Sequence, residues 1–157
     1  MASNYGMLSG PAFSISYAFV GIFMGLLVDK VNRKNLLLSA VFIWSASTVI
    51  SGTTSSFGVL FLMRFILGLF VSVTEPVGFS LLGDFFPRKF RTTANAIIGT
   101  GGYIGGGLSS LLIVVIATFG WRGAYLVNGG IGLAVAALGL LLLREPQRGM
   151  LQKIEAE

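Results

Sequence analysis

The chain reads as an all-α membrane protein of five transmembrane helices. Three observations carry that reading. Of its 157 residues, 54% are hydrophobic and only 11% are charged, with a mean hydropathy of +0.85. A soluble domain averages about 25% charged residues, so these charges are too few to solvate a surface. The apolar residues fall into five runs, each near the ~20 residues that cross ~30 Å of hydrocarbon. The cations gather in alternate connections between those runs, a pattern that sets membrane orientation.

The runs cover residues 10–28, 36–52, 57–83, 93–118 and 123–143. The second is short and the third long, which predicts a tilt or a kink. Residues 1–9 form an N-terminal segment, 10–143 the five-helix bundle and 144–157 a tail. The connections 29–35 and 84–91 are charged, 53–56 is uncharged and hydroxyl-rich, and 119–122 carries one cation. Lys30, Arg33, Lys34, Arg88, Lys89, Arg91, Arg144, Arg148 and Lys153 face one side; Arg122 faces the other, and Arg64 lies within a run. That asymmetry predicts an N-terminus outside and a C-terminus in the cytoplasm. The net charge of +5 therefore belongs to topology, and no nucleic-acid partner is expected. The chain has no cysteine and no histidine, which excludes disulfides, thiolate chemistry and His-based metal sites. No basic region followed by an apolar core opens the chain, so no signal peptide is expected.

The third run holds two charges, Arg64 and Glu75. A charge at mid-membrane costs roughly 2.5–3.5 kcal/mol on insertion scales, so each must face protein or water. Eleven residues at 100° each leave the two about 20° from eclipsed, with Gly68 and Val71 on the stripe between them. Their axial separation of roughly 16 Å is too long for an ion pair. Pro76 follows Glu75 and removes a backbone donor, which predicts a kink. Either the two charges line a transport path, or neighbouring helices satisfy each one and fix the packing.

In the fourth run, Gly101/Gly105 and Gly102/Gly106 are GxxxG pairs that predict close helix packing, or a hinge between moving halves. No strand precedes them and no Gly-Lys-Ser/Thr follows, so they are not a phosphate loop. Asp29 and Asp84 sit at the inner ends of the first and third runs, level with Arg33, Arg88 and Arg91. Opposite charges there predict a latch on the inner face. Topological anchoring would explain the cations but not the two acids. Trp121, Arg122 and Tyr125 read as an interfacial anchor, and Asn128 as an interhelical hydrogen-bonding residue. The sequence offers no nucleophile–base pair, metal cluster or carboxylate dyad, so neither enzyme activity nor a cofactor is expected.

Several of these stretches together resemble a known family. Gly25-x-Leu27-x-Asp29-Lys30-x-Asn32-Arg33-Lys34 resembles the signature loop between the second and third helices of the major facilitator superfamily. Arg64-x-x-x-Gly68 is similar to its fourth-helix motif, Gly102-Tyr103-Ile104-Gly105-Gly106 to its fifth-helix motif, and Asp84-Phe-Phe-Pro87-Arg88-x-x-Arg91 to the loop between them. Trp121-Arg122 and Arg144-Glu145-Pro146-x-Arg148-Gly149 resemble the two ends of the sixth helix. The last of these, with Asn32-Arg33-Lys34, leans toward spinster-like members.

The resemblance implies that the five helices correspond to helices two to six of a twelve-helix secondary transporter. The first helix and the second six-helix half would then lie outside this sequence. It assigns Gly25, Asp29, Arg33, Lys34, Asp84, Arg88 and Arg91 to the gating motif and Arg64 to the cavity or to ion coupling; Glu75, one turn later than the acidic residue of spinster-like members, joins Arg64 as a cavity or coupling candidate from its place on the same stripe. Gly68, Pro76, Gly102, Gly105 and Gly106 take packing and hinge roles. The expected function is partial secondary-active transport of a small or lipid-like solute. The alternatives are a transport-inactive structural subunit of a larger membrane complex and a dimerising half-transporter. Expected partners are membrane lipids, the solute, and either the remaining helices or a partner membrane protein.

Overall fold

The computed structural model describes residues 10–27 and 31–146. Five helices follow in order: α1 (Pro11–Leu27), α2 (Arg33–Thr53), α3 (Phe57–Phe85), α4 (Arg88–Ser109) and α5 (Leu112–Leu142). Among the described residues there is no strand.

Local chemistry explains the boundaries. Asn32 is extended and its side chain accepts the Asn35 N–H at 2.9 Å, which caps α2. Phe86 ends α3 in an extended conformation because Pro87 follows it and disfavours helical dihedrals in the preceding residue. Pro87 then starts α4, where its missing N–H costs nothing. Pro76 sits inside α3, which runs through it from end to end.

The fourth apolar run is divided between α4 and the first turns of α5. Ser110 and Leu111 keep right-handed helical dihedrals there, bridged by i→i+3 hydrogen bonds. This is a local tightening of one rod and leaves its direction unchanged. The reversal comes later, at Gly120, with φ 71° and ψ 175° inside the span assigned to α5. Only glycine reaches that region cheaply. The helix from Trp121 onward is thus a separate rod, and the connection expected at 119–122 is this break.

In space the helices form a row, α1–α3–α2–α5, with α4 lying off it beside the end of α3. The second half of α5 runs antiparallel to α2: Gly52 meets Tyr125, Ser45 meets Gly129 and Gly132, and Leu38 meets Gly139. Lipid is as apolar as leucine, so helix association here rests on close packing and hydrogen bonds rather than on apolar burial. The buried face of α2 is accordingly small and hydroxylated: Ser45, Ser47, Thr48 and Ser51. Ser47, Thr48 and Ser51 return their hydroxyls to the carbonyls four residues earlier, so they cross the interface without an orphan donor. An apolar cluster of Ala40, Val73, Val77 and Leu81 closes the half of the α2–α3 contact nearer Arg33.

α3 is held to α1 the same way. A side-chain carbon on Gly68 would collide with the Phe13 carbonyl and the Ser16 hydroxyl. The glycines singled out in α4 behave differently. Gly102, Gly105 and Gly106 have nothing within 4 Å of an added Cβ, so the packing expected of them is not made among the described residues. The reason is the position of α4: of its residues only Ala94 is buried. Three helices, α2, α3 and α5, are long and apolar enough on their own to cross a membrane.

Candidate functional site

The most constrained polar cluster gathers where α2 begins, α3 ends and α5 gives way to the C-terminal segment. Its centre is Arg33, the first residue of α2, which is 4% exposed. Its Nη1 donates to Asp84 Oδ2 at 2.6 Å, to Ser80 Oγ at 3.1 Å and to the Ser80 carbonyl at 3.3 Å. Its Nε donates to Glu145 Oε1 at 3.3 Å. Glu145 Oε2 in turn accepts the Lys34 backbone N–H at 2.6 Å. That carboxylate therefore also lies at the positive end of the α2 dipole, beside helix N–H groups that have no partner within the helix. One guanidinium fork thus ties three chain segments together.

Five other gating candidates are placed as follows. Lys34 joins the network through its backbone, while its Nζ donates to the Leu140 carbonyl at 3.4 Å. Gly25 lies in α1, and Asp29 lies outside the described residues. Arg88 is exposed in the first turn of α4. Arg91 stands apart from the Arg33 network: its Nε donates to the Phe86 carbonyl at 3.1 Å. Sequence reasoning left Glu145 out of the latch, although it quoted the residue. The signal was available, since an acid just past the last apolar run does nothing for orientation, the same argument that selected Asp29 and Asp84.

Arg64 and Glu75 share a stripe of α3 but reach opposite neighbours. Arg64 Nη2 donates to the Tyr125 hydroxyl on α5, and its guanidinium carbon is 5.3 Å from the centre of that ring. Trp121 packs edge-on to Tyr125 at 6.0 Å, and Arg122 stacks over Trp121 at 5.1 Å while donating to Ser55 Oγ at 2.5 Å. Glu75 is exposed and accepts the Tyr17 hydroxyl of α1 at 3.2 Å. The half of the row away from Arg33 therefore carries a cation held by a phenol, and the middle a carboxylate held by another. Tyr125→Phe keeps the ring but strips Arg64 of its acceptor. The expected loss is about 1.5–3 kcal/mol, as for hydrogen bonds to charged groups, read as a lower unfolding temperature in detergent.

Among the described residues no group of three or more Asp or Glu side chains is placed to hold a metal ion. The arrangement is suited to holding helices in a defined relation through ion pairs, and to presenting single charges within the bilayer.

Comparison with known proteins places this geometry. The chain is 32% identical over 142 residues to a probable galactarate/D-glucarate transporter of Escherichia coli, covering 86% of this chain and 32% of that protein. It is 30% identical over 151 residues to the sphingosine-1-phosphate transporter of Danio rerio, covering 94% of this chain and 30% of that one. The chain thus spans about a third of the length of these relatives. In structure it is similar to a bacterial homologue of the human lysosomal transporter Spinster in its inward-facing, occupied form. The TM-score is 0.86 at 28% identity, over 96% of this chain and 38% of that one. The unoccupied inward-facing form gives a TM-score of 0.85. The sequence model of the Major Facilitator Superfamily matches residues 2–157, and with five membrane helices in a Spinster-like arrangement the chain belongs to that superfamily.

Proposed function

We propose that the chain is part of a secondary-active transporter for a small or lipid-like anion, gated on the cytoplasmic side by the Arg33 network. The observation that carries the gate is the single buried guanidinium shared by Asp84, Ser80 and Glu145. A contact of that kind holds three segments or releases them together, which is how rigid-body rocking is switched. The anionic solute follows from Arg64, a cation carried within a membrane helix and held, among the described residues, by the neutral Tyr125 phenol. The relatives named for galactarate, D-glucarate and sphingosine-1-phosphate carry anions, which fits. The nine-to-one distribution of loop cations supports an N-terminus outside and a network on the cytoplasmic side.

The test is uptake of labelled D-glucarate and of labelled sphingosine-1-phosphate into vesicles. These contain the chain together with any membrane polypeptide that copurifies with it in mild detergent. Saturable uptake of either solute, lost in Arg64→Gln, supports the reading. A second reading, a structural subunit of a larger membrane complex, is favoured by the open glycine face of α4. Comigration with a large complex and no uptake of either solute would decide for it.

A further inference from the structure

A cleft of about 420 Å³ opens between the end of α3 and the first half of α4, away from the Arg33 network. Leu82, Phe86, Phe90, Ala94, Ile97 and Ile98 line it, and Thr93 is the one polar residue in its wall. From Phe90 to Ile98 the wall extends about 12 Å along α4. Phe86, Phe90, Ile97 and Ile98 are all exposed, so the cleft opens outward from the bundle.

Its mouth is cationic. Lys89 Nζ lies 5.9 Å from the centre of the Phe90 ring, and Arg91 Nε is anchored on the Phe86 carbonyl, so both cations are fixed to residues of the cleft wall. Arg91 Nη2 is buried and makes no hydrogen bond. A buried guanidinium donor without an acceptor is costly. Asp84, the nearest acid in sequence, is engaged with Arg33 at 2.6 Å. The first N–H groups of α4 add positive potential, since no side chain caps that end.

We propose that this cleft binds one acyl chain of an anionic phospholipid whose phosphate is held by Arg91 and Lys89. An occupant must be apolar for about 12 Å and anionic at one end, and must come from the bilayer. An anionic phospholipid meets all three conditions, and juxtamembrane cations of this kind attract such lipids. The exposed Lys89 and the half-buried Arg91 supply the positive charge that such a phosphate requires. The site is independent of the transport reading, because it needs no movement of the Arg33 network.

The test is native mass spectrometry of the full chain with phosphatidylglycerol or phosphatidylcholine of matched chains, together with a photocrosslinking residue at Ile97. Preferential retention of one phosphatidylglycerol per chain is expected, weakened at least about tenfold by the double substitution Lys89→Gln/Arg91→Gln, since each cation is worth about a factor of five to ten. Ile97→Trp, which fills the cleft and keeps the cations, should also displace the lipid. The crosslinker should label acyl chain. Equal retention of the two lipids, retention unchanged in the double variant, or label found only in polypeptide would each overturn the proposal. Should the double variant fail to fold, Ile97→Trp and the crosslink still decide it.

Discussion

Arg33→Ala is expected to cost about 3–5 kcal/mol, because it takes the countercharge away from two poorly solvated acids at once. Asp84 and Glu145 have side chains only 10% and 25% exposed, and both pair with this guanidinium. Without it, Asp84 loses a 2.6 Å charge-assisted hydrogen bond in a poorly solvated environment. The pair itself contributes far less than that loss, since bringing both charges out of water offsets most of their attraction. A graded series follows. Arg33→Lys should recover only part of the stability, because an ammonium cannot serve Asp84 and Glu145 as a rigid fork does. The double substitution Arg33→Met/Asp84→Leu should be more stable than Arg33→Ala alone, since no acid is left buried at that position. The measurement is the unfolding temperature in one detergent across the series. The sequence has no cysteine, so a single Leu81→Cys is a unique probe. Leu81 is 4% exposed near the C-terminal end of α3, and its alkylation should speed up in the Arg33→Ala background if the network holds that end shut. Equal unfolding temperatures for all variants would remove the network from any structural account.

The membrane class and the order of helices were legible because they rest on run length and on the spacing of cations, which tertiary contacts do not alter. The partners of individual side chains were less so. Arg64 and Glu75 do share a face of α3, as their eleven-residue spacing requires. A helix with neighbours on both sides nevertheless lets two long side chains on one face diverge, one to Tyr125 and one to Tyr17. Glycine density misled for a related reason. The dense stretch Gly99 to Gly107 drew the packing expectation, yet the close contacts are made by Gly129, Gly132 and Gly139, spaced along one face of the final helix. Composition tells which helices are able to approach closely. Which one does so depends on where the neighbour stands, and α4 has none beside Gly102, Gly105 and Gly106 among the described residues.

Gly129→Ala is the sharpest test of that distinction. A Cβ on Gly129 would lie 2.9 Å from the Ser45 carbonyl oxygen and 2.9 Å from the Val49 backbone nitrogen, and 2.6 Å from a Val49 methyl. A methyl group rotates away, but a backbone does not. The α2 and α5 backbones must therefore separate, which loosens the contacts at Gly52, Gly132 and Gly139 along the same interface. Overpacking of this kind costs about 1–3 kcal/mol for one methyl, and Gly129→Leu should exceed that range. Gly102→Ala inserts the same methyl into open space on α4, where alanine is the better helix former by about 0.5–1 kcal/mol. The two substitutions are thus expected to move the unfolding temperature of the purified chain in opposite directions. If a further protein surface covers α4 in the membrane, Gly102→Ala should stabilise the isolated chain and still reduce its recovery in complex with that surface. A loss of unfolding temperature from Gly102→Ala as large as that from Gly129→Ala would mean that the glycines of α4 pack within the chain after all, and the row α1–α3–α2–α5 would have to be redrawn with α4 inside it.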